Sequence, residues 1–168
     1  MIKEIQRYFL QFIILIVAQL LIFNNIEFSG FINPYVYVLF VILLPFNIQR
    51  SLLLILAFGE GLLMDIFSGT PGVHSTATVL MAFLRPAVAM IFAPREGYLS
   101  GTNPRVLYFG IEWFVKYAAI LVIVHHFVLF YLEVMSFDHF FATFFRALAS
   151  AAFTLLIIIL SQFLIFRK

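Results

Sequence analysis

Six charged side chains fall inside runs of sequence that are otherwise apolar: Glu60, Asp65, Arg85, Glu112, Lys116 and Arg146. Were those runs to cross a bilayer, each unpaired charge near its centre would cost at least ~2.5–3.5 kcal/mol, so such groups pair or line a wet cavity. Three acids and three bases make the set neutral, which favours pairing. Glu60 lies nine residues into its run and Arg85 ten into the next, a depth of roughly 14–15 Å at the helical rise of ~1.5 Å per residue. Their runs are joined by a tight turn, and a Glu60–Arg85 pair is expected. Glu112 and Lys116 are spaced i, i+4 with the acid first, the favourable order within one helix. Asp65 and Arg146 share the other half of the membrane and pair if their helices touch. The sharper chemistry is a proton or substrate path, completed by His125 and His126 near the outer end of their run. Those adjacent rings point ~100° apart on a helix, poor geometry for one shared ion, and an interfacial, hydrated role suits them better. Structural pairing is the favoured reading of the charges.

The elements that must position these groups follow from composition. Of 168 residues, 64% are apolar and 11% charged, with 23 Phe; soluble domains run near 45–50% and 25%. This inventory cannot cover a water-soluble globule. A soluble enzyme, a disordered linker and a nucleic-acid-binding domain are excluded, and the net charge of +2 is too small to attract polyanions. There is no Cys, which removes disulfides, thiolate metal sites and thiol nucleophiles. An all-α polytopic membrane protein is left. Apolar runs of helical length cover 8–23, 31–46, 51–67, 75–93, 106–132 and 140–166, six spans by the ~20-residue criterion. The first lacks a signal-peptide cleavage site and reads as a retained span. The connections are too short for a soluble domain, so residues 1–168 form one membrane domain. Barrel strands would alternate over ~10 residues, and these runs do not.

Basic residues set the orientation. Lys3, Arg7, Arg50, Arg95, Arg105, Arg167 and Lys168 occupy the termini and alternate connections, while 24–30, 68–74 and 133–139 hold no Lys or Arg. By the positive-inside rule both termini are cytoplasmic, and Glu27, His74, Glu133 and Asp138 face outward. Small residues come next. Gly59 and Gly61 flank Glu60, Gly61 shares a helix face with Asp65, and Ala147, Ala149, Ser150, Ala151 and Ala152 make a smooth surface; all suit close helix packing. The turn 68–72 lacks the Lys of a phosphate loop. Phe137, Phe140, Phe141, Phe144 and Phe145 cluster at the outer start of the last span, as interfacial anchors or as a partner-helix contact. No nucleophile–base pair, metal-ligand spacing or cofactor fingerprint stands out, and no enzyme activity, cofactor or metal is expected.

The stretch from Phe58 to Ser75 resembles the rod-shape-determining MreD family, whose recognisable pattern is Gly-x-x-x-Asp closing a hydrophobic span, then a turn containing Gly. Here those positions are Gly61, Asp65 and Gly72. The segments Phe83-Leu84-Arg85-Pro86 and Ala93-Pro94-Arg95-Glu96-Gly97-Tyr98 also resemble one branch of the family, and length and span count agree over the whole chain. The resemblance implies a non-enzymatic component of the bacterial inner membrane, part of the cell-elongation machinery of peptidoglycan synthesis. It implies association with MreC and, through it, with MreB, RodA and a penicillin-binding transpeptidase. It also implies a fold similar to the substrate-binding subunits of energy-coupling-factor transporters, which supplies the alternative: a vitamin-type substrate-binding membrane transport subunit.

Overall fold

Apolar runs bounded by Gly and Pro fold as helices throughout, with one informative exception. The computed structural model describes residues 2–25, 32–135 and 139–165. The elements are α1 (Ile2–Leu21), a 3-10 turn at Phe23–Asn25, a second at Val36–Val38, α2 (Leu39–Leu43), α3 (Arg50–Ser68), α4 (Val73–Ile91), α5 (Val106–Val134) and α6 (Phe140–Ile165). No strand occurs among the described residues. The α1 run and α3 to α6 give five helices long and apolar enough to cross a membrane. Their outer faces carry Phe9, Ile55, Phe83, Met90 and Leu164, each at least half exposed. A soluble monomer does not present apolar surface on that scale; this is a multi-pass membrane protein. Glu27, Phe137, Asp138, Arg167 and Lys168 lie outside the described residues.

The exception is the second apolar run. It was expected as a helix over 31–46, and only Leu39–Leu43 is α-helical. Pro45 explains the stop: a residue preceding Pro is pushed out of the helical region, and Leu44 has ψ 150°. Upstream, Pro34 and the β-branched Val36 and Val38 favour extended or tighter backbone. Irregular backbone at membrane depth survives only when protein surrounds it, and residues 35–44 are all buried.

Of the five long helices, α1, α4, α5 and α6 each contribute a side chain to satisfy this segment. Gln19 Oε1 accepts the Val36 and Tyr37 N–H groups at 2.7 and 3.3 Å, while its Nε2 donates to Pro34 O at 2.9 Å. From α6, Ser150 Oγ accepts the Asn33 N–H at 3.1 Å and Thr154 Oγ1 the Tyr35 N–H at 3.0 Å. The C-terminal carbonyls of α2 are capped from the other side. Tyr117 Oη donates to Ile42 O at 3.1 Å, Asn103 Nδ2 to Leu43 O at 2.9 Å, and the Arg85 guanidinium to Leu44 O. Gln19→Leu strands two N–H groups and a carbonyl in an apolar core. At ~1–3 kcal/mol per orphaned buried group, a loss of about 3 kcal/mol is expected, read as a lower Tm in mild detergent; an unchanged Tm would remove Gln19 from this role.

The ends of the bundle sort by charge. Tyr8 meets Asn103, Asn47 meets Ser100 and the Phe46 N–H reaches Thr102 O, so the connections holding Arg50, Arg95 and Arg105 share one end. At that end Tyr98 stacks on Phe46 at 3.9 Å and donates to Ala89 O at 2.6 Å; burial pushes its phenol up. Helix α5 is interrupted at Gly110 (φ 78°, ψ 167°), a conformation open only to Gly.

Candidate functional site

The polar residues concentrate at the opposite end, beneath the turn between α3 and α4. That turn is built on Asp65. Its Oδ1 accepts from Thr70 Oγ1 at 3.1 Å and the His74 N–H at 2.8 Å, and its Oδ2 from the Ser75 N–H at 3.0 Å and Ser75 Oγ at 2.5 Å. The carboxylate thus caps the first turn of α4, where free N–H groups and the helix dipole favour an anion. Gly72, with φ 83°, supplies the left-handed residue that starts α4. Gly61, one turn before Asp65, lies against α4 itself: a Cβ there would stand 2.5 Å from Ser75 Cα and 2.8 Å from His74 O.

Directly inward is a hub centred on Tyr37. Its Oη lies 2.9 Å from His74 Nδ1, 2.8 Å from His125 Nε2 and 3.3 Å from Thr78 Oγ1. His126 is anchored separately. A carbonyl only accepts, so the 2.9 Å contact to Val122 O fixes a proton on Nδ1, and Nε2 then accepts from Thr154 Oγ1 at 2.9 Å. Both histidines are fully buried. The expectation that they sit hydrated at the interface is corrected: α5 continues nine residues beyond His125, to Val134, and Tyr35 and Tyr37 pack against them. Above the hub opens a cavity of about 300 Å³, walled by Asn33, Tyr35, Thr70, His74 and Glu133 among others.

Two expected ion pairs do not form. Arg85 is occupied by Leu44 O and lies 5.9 Å from the Phe46 ring centroid, while both oxygens of the fully buried Glu60 have no hydrogen-bond partner among the described residues. The broken second segment accounts for this, because its orphan carbonyl competes for the guanidinium. Arg146 likewise turns from Asp65 to Glu133, 3.4 Å away, and over the Phe130 ring at 4.5 Å. The Asn33 amide oxygen, oriented by its neighbours, accepts from Arg146 at 3.1 Å. Glu112 and Lys116 bond at 2.5 Å on an exposed face near the basic end. Ala147, Ser150 and Ala151 face the interior of the bundle. Phe140, Phe141 and Phe145 are exposed.

Gln19, Tyr37, Thr78, Ser150 and Thr154 escape a search for charged residues, because each is neutral. Their signal is present nonetheless: a hydrogen-bonding side chain inside an apolar run needs a partner there. Among the described residues no group of three or more His, Cys, Asp or Glu could hold a metal ion. No family model, curated protein or solved structure matches the chain.

Proposed function

We propose that this chain is a non-enzymatic scaffold of the bacterial inner membrane, crossing it six times with both termini in the cytoplasm. In this reading it works in the cell-elongation complex for peptidoglycan synthesis, where its helices bind MreC and thereby MreB, RodA and a penicillin-binding transpeptidase. One observation carries the reading. The Gly61, Asp65 and Gly72 pattern behind the family resemblance serves the architecture of the α3–α4 joint. All four hydrogen bonds to Asp65 come from its own turn, which leaves that carboxylate no capacity for substrate. An apolar groove of about 470 Å³ among α1, α2 and α3, lined by Phe9, Phe12, Phe40, Leu52 and Leu56, adds a surface whose chemistry suits a membrane helix.

The test is a native pull-down from a strain carrying a tag at the chromosomal locus, solubilised in mild detergent. The scaffold reading expects a single-span protein with a large extracytoplasmic domain, together with wall polymerases. A photo-crosslinker at Phe9 is expected to capture that single-span protein. The cavity beside His74 favours a second reading, a substrate-binding subunit of a transporter. Recovery of an ATPase pair with a coupling membrane subunit would replace the first reading with the second.

A further inference from the structure

The Tyr37 hub has room for one more proton than it needs. A phenol carries a single O–H and can also accept. His125 Nδ1 is buried with no partner among the described residues; a bare ring nitrogen is tolerated there more readily than an orphaned N–H, which leaves the His125 proton on Nε2. That N–H donates to Tyr37 Oη, and the Tyr37 proton then goes to His74 Nδ1. His74 in turn lines the cavity. Let a proton arrive from the cavity and settle on His74. Its Nδ1–H now donates to Tyr37 Oη beside the His125 Nε2–H, and the Tyr37 proton swings to Thr78 Oγ1 at 3.3 Å. Thr78 is free to accept, since its own proton is committed to His74 O at 2.8 Å. Each hydrogen shared at Tyr37 Oη keeps an acceptor and no heavy atom moves.

We propose that His74, with Tyr37 and Thr78 behind it, is a proton-binding site open to the cavity at the α3–α4 turn. Charged and titratable groups surround it. From α3, Asp65 holds the His74 backbone N–H, and Glu60, without a hydrogen-bond partner, lies within electrostatic reach of Tyr37. From α5 come His125, His126 and the cavity-lining Glu133; from α6, Arg146 is already paired with Glu133. From the second segment, Tyr35 stacks edge-on to His74 at 5.2 Å, and α1 presents only the neutral Gln19 at that level. Burial opposes the imidazolium, and the Asp65 carboxylate favours it. The site stands independently of the scaffold reading, since it needs no partner protein.

The experiment is ¹⁵N NMR of histidine-labelled protein in nanodiscs, titrated from about pH 8 down to about pH 3.5, because burial works against charging the ring and extends the range in which it must be sought. Single His→Asn variants assign the ring signals. The expected result is that the His74 ring becomes doubly protonated within that range while His125 stays neutral with its proton on Nε2. Thr78→Val, which removes the acceptor used only in the protonated hub, is expected to weaken proton binding about tenfold, the order of one buried hydrogen bond. Its helical content at pH 8 should match the parent. A His74 ring that stays neutral while the protein remains folded would overturn the proposal. So would charging of His125 instead, or an unmoved Thr78→Val midpoint. Should Thr78→Val fail to fold, the titration of the parent protein decides alone.

Discussion

Asp65→Ala is expected to unfasten α3 from α4 and to cost at least about 4 kcal/mol. Four hydrogen bonds end on that carboxylate, two of them from the backbone N–H groups of His74 and Ser75. A hydrogen bond to a charged acceptor contributes ~1.5–3 kcal/mol, and bonds sharing one acceptor do not add. Removal also leaves the start of α4 uncapped, since no other side chain caps it. A typical domain holds only ~5–15 kcal/mol in total, so much of the folded population is at stake. Asp65→Asn separates the contributions: one oxygen still serves Thr70 and His74, while the new NH₂ faces the Ser75 N–H and leaves it orphaned. The expected order of stability is parent, then Asn, then Ala, read from thermal unfolding in mild detergent. Equal midpoints for all three would show that the turn is held by something else.

Gly61→Ala should be nearly as damaging, for a steric reason. A Cβ at residue 61 would meet Ser75 Cα at 2.5 Å and Ser75 N at 2.8 Å. Those are backbone atoms within a helix, and they move only if α4 moves as a unit. Overpacking a tight contact costs ~1–3 kcal/mol; here the displacement also lengthens the Asp65 bonds to His74 and Ser75, and about 3 kcal/mol is expected. The matched control is Gly59→Ala, two residues away, where a Cβ would meet nothing within 4 Å. With space available, Ala is the better helix residue by ~0.5–1 kcal/mol, so a neutral or slightly raised midpoint is expected. If both variants behaved alike, the close approach at Gly61 would not be what selects glycine there.

The parts of the molecule visible in its sequence are the local ones. Gly61 and Asp65 are a helical turn apart and act on residues fewer than fifteen positions away, so their spacing already describes the joint. Glu112 and Lys116 sit on one helix face and meet at 2.5 Å. What the sequence conceals is the fate of the second apolar run. Its composition is that of a span, and only Pro34 and Pro45 hint at interruption. Whether it breaks depends on side chains far along the chain, such as Ser150, 117 residues from Asn33. Arg85 follows from the same hidden event. Charge seeks charge when helices are whole, but here a helix ends inside the protein and its carbonyl takes the guanidinium. His125 and His126 lie deeper than their run suggests for a simpler cause, because the hydration of a helix end depends on how far that helix continues.

The broken second segment also orders the assembly of the protein in time. Chains enter the membrane as they are synthesised, amino end first, yet among the described residues the Asn33 and Tyr35 N–H groups are satisfied by Ser150 and Thr154, 117 and 119 residues later. Until α6 emerges, those donors must be shielded by lipid headgroups, water or the insertion machinery, because hydrocarbon offers them nothing. The stretch made second is therefore locked last. It acts as the keystone of the bundle, and a nascent chain halted before Ser150 lacks those two acceptors even with four of its long helices already made.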